Sequence, residues 1–402
     1  AKKLFKLDWS LKYFVLYAST KNEIVSKFDS IRPYHDSEVH EVLQTFHRHP
    51  MFQALLQFTF PDKSAEEIKS VIDECYSIFD FQSKVIYKSV HKVMEKSTDG
   101  FSTSGFDELE RDKPYFYLSN HRDIILDTSF INVALYDHEL IMTASAIGDN
   151  LVQKSFLMAL AKLNRSFLVE RSLSPREMLL SSKKLSEYLK FLLSENQSIW
   201  MAQREGRTKD GSDKTQQGVL KMVAMARGEQ SALQYLKSLN IRPVAISYEF
   251  DPTDILKVPE LIAKSEDTAY VKSNNEDFNS ILRGALGSKK RIHIAAGKLS
   301  EETFDEIEGL DLSENDKLQE LARRIDKEIY RIYKLWPSNY VAYDLYYNTD
   351  RFAHTYTDRD KRSFERRFER RVDPNSAIAR ESFLLMYANP VINKLKSIEQ
   401  TA

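Results

Sequence analysis

One short polar segment brings together the residues whose types could do chemistry. These residues are Asn120, His121, Arg122, Asp123 and Asp127. The apolar residues before the segment predict a strand and those after it predict a helix, and ligands bind at the carboxyl ends of strands in α/β sheets. A histidine there can take a proton from a hydroxyl or amine if a carboxylate fixes its tautomer and stabilises the imidazolium. The sequence thus predicts a general base, His121, with Asp127 or Asp123 as its partner.

The elements that must position this segment alternate from about residue 112. Strands are predicted at 114–119, 140–145, 166–169, 199–203, 242–248 and 291–295. Helices are predicted between several of them, at 124–136, 151–163, 176–193 and 218–227. This alternation is typical of an α/β fold with a largely buried sheet. We expect a helical N-terminal region at 1–111, an α/β domain at 112–312 and a helical C-terminal region at 313–402.

Composition limits the classes of protein to consider. The 402 residues are 42% hydrophobic and 29% charged, with a net charge of −1. These are ordinary values for a globular protein, and they provide no overall attraction to nucleic acid. Cys75 is the single cysteine, so no internal disulfide can form, and we expect a core or inert thiol. The spacing of His35, His40, His47 and His49 matches no zinc motif, so no metal is expected.

Two segments are candidates for contact with a lipid surface. Residues 2–18 place apolar side chains on one helical face with lysines beside it, which predicts either an interfacial helix or a helix packed on the core. Residues 358–371 interleave arginines with acidic residues, which indicates a solvated helix with ion pairs or, alternatively, docking to anionic headgroups. No run reaches the roughly 18 apolar residues that span a bilayer. We therefore expect a cytosolic protein or one that lies on a membrane.

Four sequence blocks follow one another in a fixed order between about residues 112 and 300. They are the cluster at 120–127, the strand 166–171 that ends in an arginine, Glu205-Gly206-Arg207-Thr208, and the proline-led strand 242–248. In this order and spacing they resemble the glycerolipid acyltransferase superfamily, which includes glycerol-3-phosphate and lysophosphatidic acid acyltransferases. The resemblance implies a mixed, largely parallel sheet flanked by helices.

The resemblance also implies roles for individual residues. His121 would be the catalytic base and Asp127 its support. The substrate-binding residues would be Asn120, Arg122, Arg171, Glu205, Gly206, Arg207, Thr208 and Lys209. The cationic members could converge on a phosphate, which arginine binds bidentately. Gly206 would let the backbone approach a substrate closely, and Glu205 would orient neighbouring donors or the acceptor hydroxyl.

The chain departs from the family pattern at two points. The family has four residues between the histidine and the aspartate, whereas this chain has five between His121 and Asp127. One extra residue turns a regular helix by about 100°, so either the preceding turn or a bulge absorbs it, or Asp123 is the true partner. The third block has Arg207 before Thr208 where the family has the reverse order, which leaves open which of the two faces a phosphate.

The implied function is transfer of a fatty acyl group from acyl-CoA or acyl-carrier protein to a hydroxyl of glycerol-3-phosphate or a lysophospholipid. No permanently bound cofactor is expected, since the acyl donor is a co-substrate. The expected partners are the donor, a glycerolipid or lysolipid acceptor and a membrane surface, but no nucleic acid. The expected location is the cytoplasmic face of a membrane, as a peripheral protein. The alternatives are a lyso-amino-acid lipid or other non-phosphate acceptor, and a non-catalytic membrane-binding relative.

Overall fold

The computed structural model describes residues 26–273 and 275–399. One seven-stranded sheet forms its centre. The strands are β1 (Thr98–Ser104), β2 (Phe116–Ser119), β3 (Ala144–Gly148), β4 (Ser166–Val169), β5 (Ile199–Ala202), β6 (Ile241–Tyr248) and β7 (Lys290–Ala296). Their order is β1-β7-β6-β2-β5-β3-β4. Neighbouring strands run parallel except for β6 and β7, which are antiparallel. The predicted mixed, largely parallel sheet is therefore confirmed.

Helices surround the sheet and extend beyond it at both ends of the described chain. They are α1 (Asp36–Phe46), α2 (Pro50–Thr59), α3 (Ala65–Asp73), α4 (Ile78–Phe81), α5 (Tyr87–Ser97), α6 (Leu126–Asp137), α7 (Ser155–Leu163), α8 (Pro175–Ser194), α9 (Gln217–Val223), α10 (Ala232–Ser238), α11 (Asp254–Ser265), α12 (Glu276–Leu286), α13 (Glu301–Glu308), α14 (Glu314–Ile332), α15 (Pro337–Tyr347), α16 (Asp358–Arg371) and α17 (Ala377–Glu399). Short π or 3-10 segments lie at Gln82–Ile86, Asp149–Leu151, Ala224–Ala226 and Ala353–Thr355.

The side chains of β2 show why this strand lies in the middle of the sheet. All four of its residues are buried, as expected where helices cover both faces of a parallel sheet. Because successive side chains point to opposite faces, Phe116 and Leu118 pack in the core that includes Leu185 of α8. Tyr117 packs on the other face with Phe130 of α6. The ends of β2 are thereby fixed between two hydrophobic layers.

The arginine-rich helix α16 packs against its neighbours through one face. Phe364 and Phe368 enter a core shared with α15 and α17. Arg367 is buried and its Nε donates to Asp254 Oδ2 at 2.7 Å, while Arg371 contacts the other oxygen of Asp254 at 3.0 Å. Through these two ion pairs α16 is held against the start of α11, which follows β6.

One strand of the sheet was not predicted from the sequence, and one predicted helix falls outside the described residues. Strand β1 was not predicted, because its sequence is polar and it lies at the sheet edge with most side chains partly or fully exposed. The candidate helix at 2–18 lies outside the described residues. None of the helices in the described part of the chain is long and apolar enough to cross a bilayer.

Candidate active site

His121 lies two residues beyond the carboxyl end of the central strand β2. Its Nδ1 is 2.8 Å from Asp127 Oδ2, and 13% of its side chain is exposed. The ring meets the indole of Trp200, on the adjacent strand β5, edge-on at 5.5 Å between centroids. Because Nδ1 faces Asp127, Nε2 is the nitrogen left to accept a proton from a ligand.

The Asp127 carboxylate is completely buried and accepts four hydrogen bonds. Oδ2 accepts from His121, from the Arg122 backbone at 2.6 Å and from the Asp123 backbone at 3.0 Å. Oδ1 accepts from the Tyr248 hydroxyl at 2.8 Å. Burial opposes ionisation, but the hydrogen bond and charge of His121 and the two backbone donors outweigh it and lower the pKa of Asp127. The site therefore holds a carboxylate aimed at the imidazole.

The turn before α6 accommodates the extra residue between His121 and Asp127. The helix begins only at Leu126, and Asp123 Oδ1 accepts the backbone N–H groups of Ile125 and Leu126, each at 3.0 Å. Asp123 thus caps the helix start, and the partner of the His121 ring is Asp127. Burial and the neighbouring Asp127 carboxylate raise the pKa of Asp123, so its environment favours the neutral acid.

Asn120 and Arg122 are buried beneath the site and are not among the residues that line the adjoining pocket. The Asn120 amide exchanges two hydrogen bonds with the backbone of Ile246 in β6, at 3.0 and 2.8 Å. The Arg122 guanidinium pairs with Asp213, which is also buried. In the structure both side chains therefore join β2 to β6 and to the loop after β5, which differs from the predicted contact with substrate.

The loop after β5 carries the third sequence block to the site. The Thr208 backbone donates to the His121 carbonyl at 2.7 Å, which fixes the loop beside the imidazole, while the Thr208 side chain is buried. Gly206 has a φ of +69°, a conformation that glycine adopts readily. Arg207 lines the pocket and Thr208 does not, so the arginine is the member of this pair that can reach a ligand.

Five arginine and lysine side chains line the pocket, Arg171, Arg204, Arg207, Lys209 and Lys272. Each of the three that the sequence predicted as substrate-binding has an acidic neighbour. Arg171, which follows β4, forms an ion pair with Glu205. Arg207 Nη2 lies 3.9 Å from Asp277 Oδ1. Lys209 Nζ lies 3.2 Å from Glu260 Oε2, and burial lowers the pKa of Lys209. Arg171 follows β4, whereas Arg207 and Lys209 follow β5, so the ends of two strands bring these three cations together. We call Arg171, Arg207 and Lys209 the cationic rim, and each of its members already has an acidic partner.

The pocket beside His121 has a volume of about 740 Å³. Its polar side contains His121, Arg171, Glu205, Gly206, Arg207 and Lys209. Its apolar side is formed by β3, the 3-10 segment that follows it, β4, α8 and α9, and includes Ile147, Leu151, Val169, Leu185, Val219 and Met222. A ligand with a polar head and an apolar tail fits this division, because each part would meet an environment of its own polarity.

Comparison with known proteins gives one family match. Residues 101–247 match the family model described as Acyltransferase, and this segment contains His121, Asp127, Arg171 and residues 205–209. This segment therefore carries an acyltransferase domain, which supports the acyltransferase activity that the sequence blocks predicted. No curated protein shows a significant match to the sequence.

A solved structure is also similar to the chain, the 1-acyl-sn-glycerophosphate (LPA) acyltransferase PlsC from Thermotoga maritima. The two chains are 11% identical over 72% of this chain and 94% of the other, with a TM-score of 0.33.

Several site residues were missed by sequence reasoning. Tyr248 was recognised only as the end of a strand, although its hydroxyl bonds to Asp127 across 121 positions of the chain. Lys272 and Asp277 line the pocket from the region before and within α12. No local pattern connects such distant positions. Among the described residues, no group of three or more histidine, cysteine, aspartate or glutamate side chains has the arrangement of a metal site.

Proposed function

We propose that this acyltransferase moves a fatty acyl group from an acyl thioester, acyl-CoA or acyl-carrier protein, to a hydroxyl of glycerol-3-phosphate or a lysophospholipid. The observation that carries the proposal is the position of the His121–Asp127 pair at the junction of a cationic rim and an apolar pocket. This arrangement matches a reaction in which a polar acceptor and an acyl chain must meet at a general base.

In the proposed mechanism, the acceptor hydroxyl lies against His121 Nε2. The imidazole takes the hydroxyl proton while the oxygen attacks the thioester carbonyl, and Asp127 stabilises the imidazolium that forms. The new carbon–oxygen bond completes the ester as the carbon–sulfur bond breaks. His121 returns its proton to the departing sulfur, which leaves as the free thiol of the donor. The cysteine of the chain takes no part in this scheme, since Cys75 is buried and burial raises its pKa to about 11.

The acyl chain would occupy the apolar side of the pocket, and the acceptor headgroup would meet the rim. Arginine is suited to an anionic headgroup because its planar donors match phosphate or carboxylate oxygens. Arg207 directly precedes Thr208, whose backbone contacts His121, and its ion-pair partner Asp277 lies 3.9 Å away. We assign it the main contact with a phosphate.

The acidic neighbours of the rim favour a second class of acceptor. Glu205 pairs with Arg171 and Glu260 with Lys209, so the rim presents both charges rather than a purely positive surface. A headgroup that carries both an amine and a carboxylate, as in a lyso-amino-acid lipid, would complement such a rim. We further propose that the enzyme acts on such acceptors as a peripheral protein on the cytoplasmic face of a membrane.

The test is transfer from labelled acyl-CoA and labelled acyl-carrier protein to a panel of purified acceptors, with the products identified by mass. The panel contains glycerol-3-phosphate, lysophosphatidic acid, other lysophospholipids and a lyso-amino-acid lipid. We expect an ester of a phosphate-bearing acceptor, and we expect Arg207→Gln to raise KM for that acceptor more than it lowers kcat. Ester formation only with the amino-acid lipid would support the second class. No transfer to any acceptor from either donor would refute the proposal.

A further inference from the structure

The first turns of α8 expose three consecutive apolar side chains. Met178, Leu179 and Leu180 are 56%, 61% and 61% exposed, and we call them the apolar turn. Isolated exposed apolar residues are common on proteins, but a contiguous apolar patch on a surface helix marks a site of interaction. The three apolar residues are not required to begin the helix. Ser174, Pro175 and Glu177 already provide its N-cap, its first turn and its capping box.

The apolar turn is continuous with the candidate active site. Met178 lines the pocket, and so does Leu185 two turns further along α8, where the helix is buried. Leu179 and Leu180 lie outside the pocket. The same helix therefore runs from the apolar wall of the pocket to an exposed apolar surface at its mouth, so that an acyl chain leaving the pocket would meet apolar side chains rather than water.

The charged residues of α8 that flank the apolar turn in sequence are mainly positive. Arg176 and Lys183 are exposed on either side of it. The acidic residue of this stretch, Glu177, uses its carboxylate to accept hydrogen bonds from the backbone and hydroxyl of Ser174. Apolar side chains flanked by cations complement a bilayer that contains anionic lipid, because the first enter the interface while the second meet the headgroups.

We propose that the apolar turn is the part of this enzyme that inserts into the membrane surface and opens the pocket directly to lipid. The proposal rests on the proposed function, since it names the surface through which that function would obtain its lipid substrate. The competing occupant is the chain before Ser26, because Phe28 packs on Tyr188 of α8 and Lys27 pairs with Glu187. A segment bound over Met178 would cover the mouth of the pocket, which is why we favour the bilayer.

The first experiment measures partitioning of the full chain into vesicles of phosphatidylcholine with and without phosphatidylglycerol. The variant is Leu179→Gln/Leu180→Gln, and the matched control is Leu310→Gln/Leu312→Gln, which alters two leucines of 40% and 43% exposure that do not line the pocket. We expect the variant to bind mixed vesicles at least about tenfold more weakly, as for a loss of ~1.4 kcal/mol, with the control unchanged. Arg176→Gln/Lys183→Gln should weaken binding only to the anionic vesicles. Equal binding by wild type and the leucine variant would overturn the proposal.

The second experiment identifies what covers the turn. Cys75 is the only cysteine and is buried, so Leu179→Cys can be labelled selectively with a polarity-sensitive fluorophore. If the turn inserts into the membrane, the fluorophore should show the emission typical of an aqueous environment, and this emission should shift to shorter wavelength when mixed vesicles are added. A blue-shifted spectrum before any vesicle is added, unchanged afterwards, would show that the protein itself covers the turn and would refute the proposal.

The two proposals fail in distinguishable ways. Leu179→Gln/Leu180→Gln should retain wild-type transfer from a short-chain, water-soluble donor to a water-soluble acceptor, and should lose transfer to an acceptor embedded in vesicles. Absence of transfer by the wild type in both formats refutes the function but leaves the partitioning result intact. Normal transfer by the variant in both formats, with normal vesicle binding, refutes only the docking surface.

Discussion

Replacement of Asp127 by asparagine isolates the charge that supports His121. Asparagine has nearly the same shape, and its oxygen can still accept from the His121 ring and from the backbone N–H groups of Arg122 and Asp123, which the Asp127 Oδ2 atom accepts now. The Tyr248 hydroxyl, which donates to the other oxygen, would face an amide nitrogen instead. The substitution therefore removes the negative charge while most of the local geometry is kept.

The size of the effect follows from the 2.8 Å separation of His121 Nδ1 and Asp127 Oδ2. At that distance, with an effective dielectric constant of about 20, an imidazolium and a carboxylate attract each other by about 6 kcal/mol. Each ~1.4 kcal/mol of lost transition-state stabilisation slows a reaction tenfold. Because the hydrogen bond to the amide oxygen retains part of the attraction, we expect Asp127→Asn to lower kcat by about 1,000- to 10,000-fold, with little change in KM.

The matched control is Asp123→Asn, four residues earlier in the same buried turn. Burial and Asp127 raise the pKa of Asp123, so a neutral amide resembles the state that its environment favours, and its capping oxygen is retained. We expect less than about a tenfold change in kcat. Both variants are assayed by release of free thiol from an acyl thioester in the presence of acceptor. Equal losses in the two variants, or Asp127→Asn activity within tenfold of wild type, would refute this account of the pair.

Three further substitutions test other parts of the account. Tyr248→Phe removes the hydrogen bond that orients the Asp127 carboxylate through Oδ1, so the carboxylate should hold the imidazole less firmly; we expect kcat to fall about tenfold with little change in KM, as measured by release of free thiol. Val219→Phe narrows the apolar side of the pocket and should disfavour the longest acyl donors by about tenfold or more, as measured by competition between donors of different length. Burial raises the pKa of Asp326 to about 7, so the folded protein keeps a proton that the unfolded chain loses above a pH of about 4. Its contribution to the free energy of unfolding is therefore present below a pH of about 4 and is lost as the pH rises to about 7. We expect the free energy of unfolding, measured with urea, to fall less between pH 4.5 and pH 7.5 for Asp326→Asn than for wild type.

The parts of the structure that the sequence predicted well are those that depend on residues close together in the chain. The strand at 166–169 and the helix that begins after Ser174 agree with the structure within a residue, because apolar runs and capping residues act locally. The His–Asp cluster is also local, since His121 and Asp127 are only six positions apart. These signals were sufficient to predict both the α/β class and the point on the sheet where the candidate site lies.

The parts that were not predicted depend on contacts between distant residues. The family resemblance implied that Asn120 and Arg122 bind substrate, but their partners Ile246 and Asp213 lie far along the chain. Burial of polar groups is favourable only where such partners exist, and a single sequence does not specify them. The strand β1 was missed for a related reason, since a polar edge strand is defined by its neighbour, here β7, and not by its own composition.

The central claim is that the His121 imidazole removes the proton from the acceptor during acyl transfer. The most direct measurement compares wild type with His121→Ala in a single-turnover reaction of labelled acyl donor with the acceptor that the panel identifies, over a range of pH. Circular dichroism and thermal unfolding would establish that both proteins are folded. We expect a rate at least about 1,000-fold lower for the variant, with the pH dependence of the wild type lost. A variant that forms ester at a rate near that of wild type, with the same pH profile, would contradict the claim.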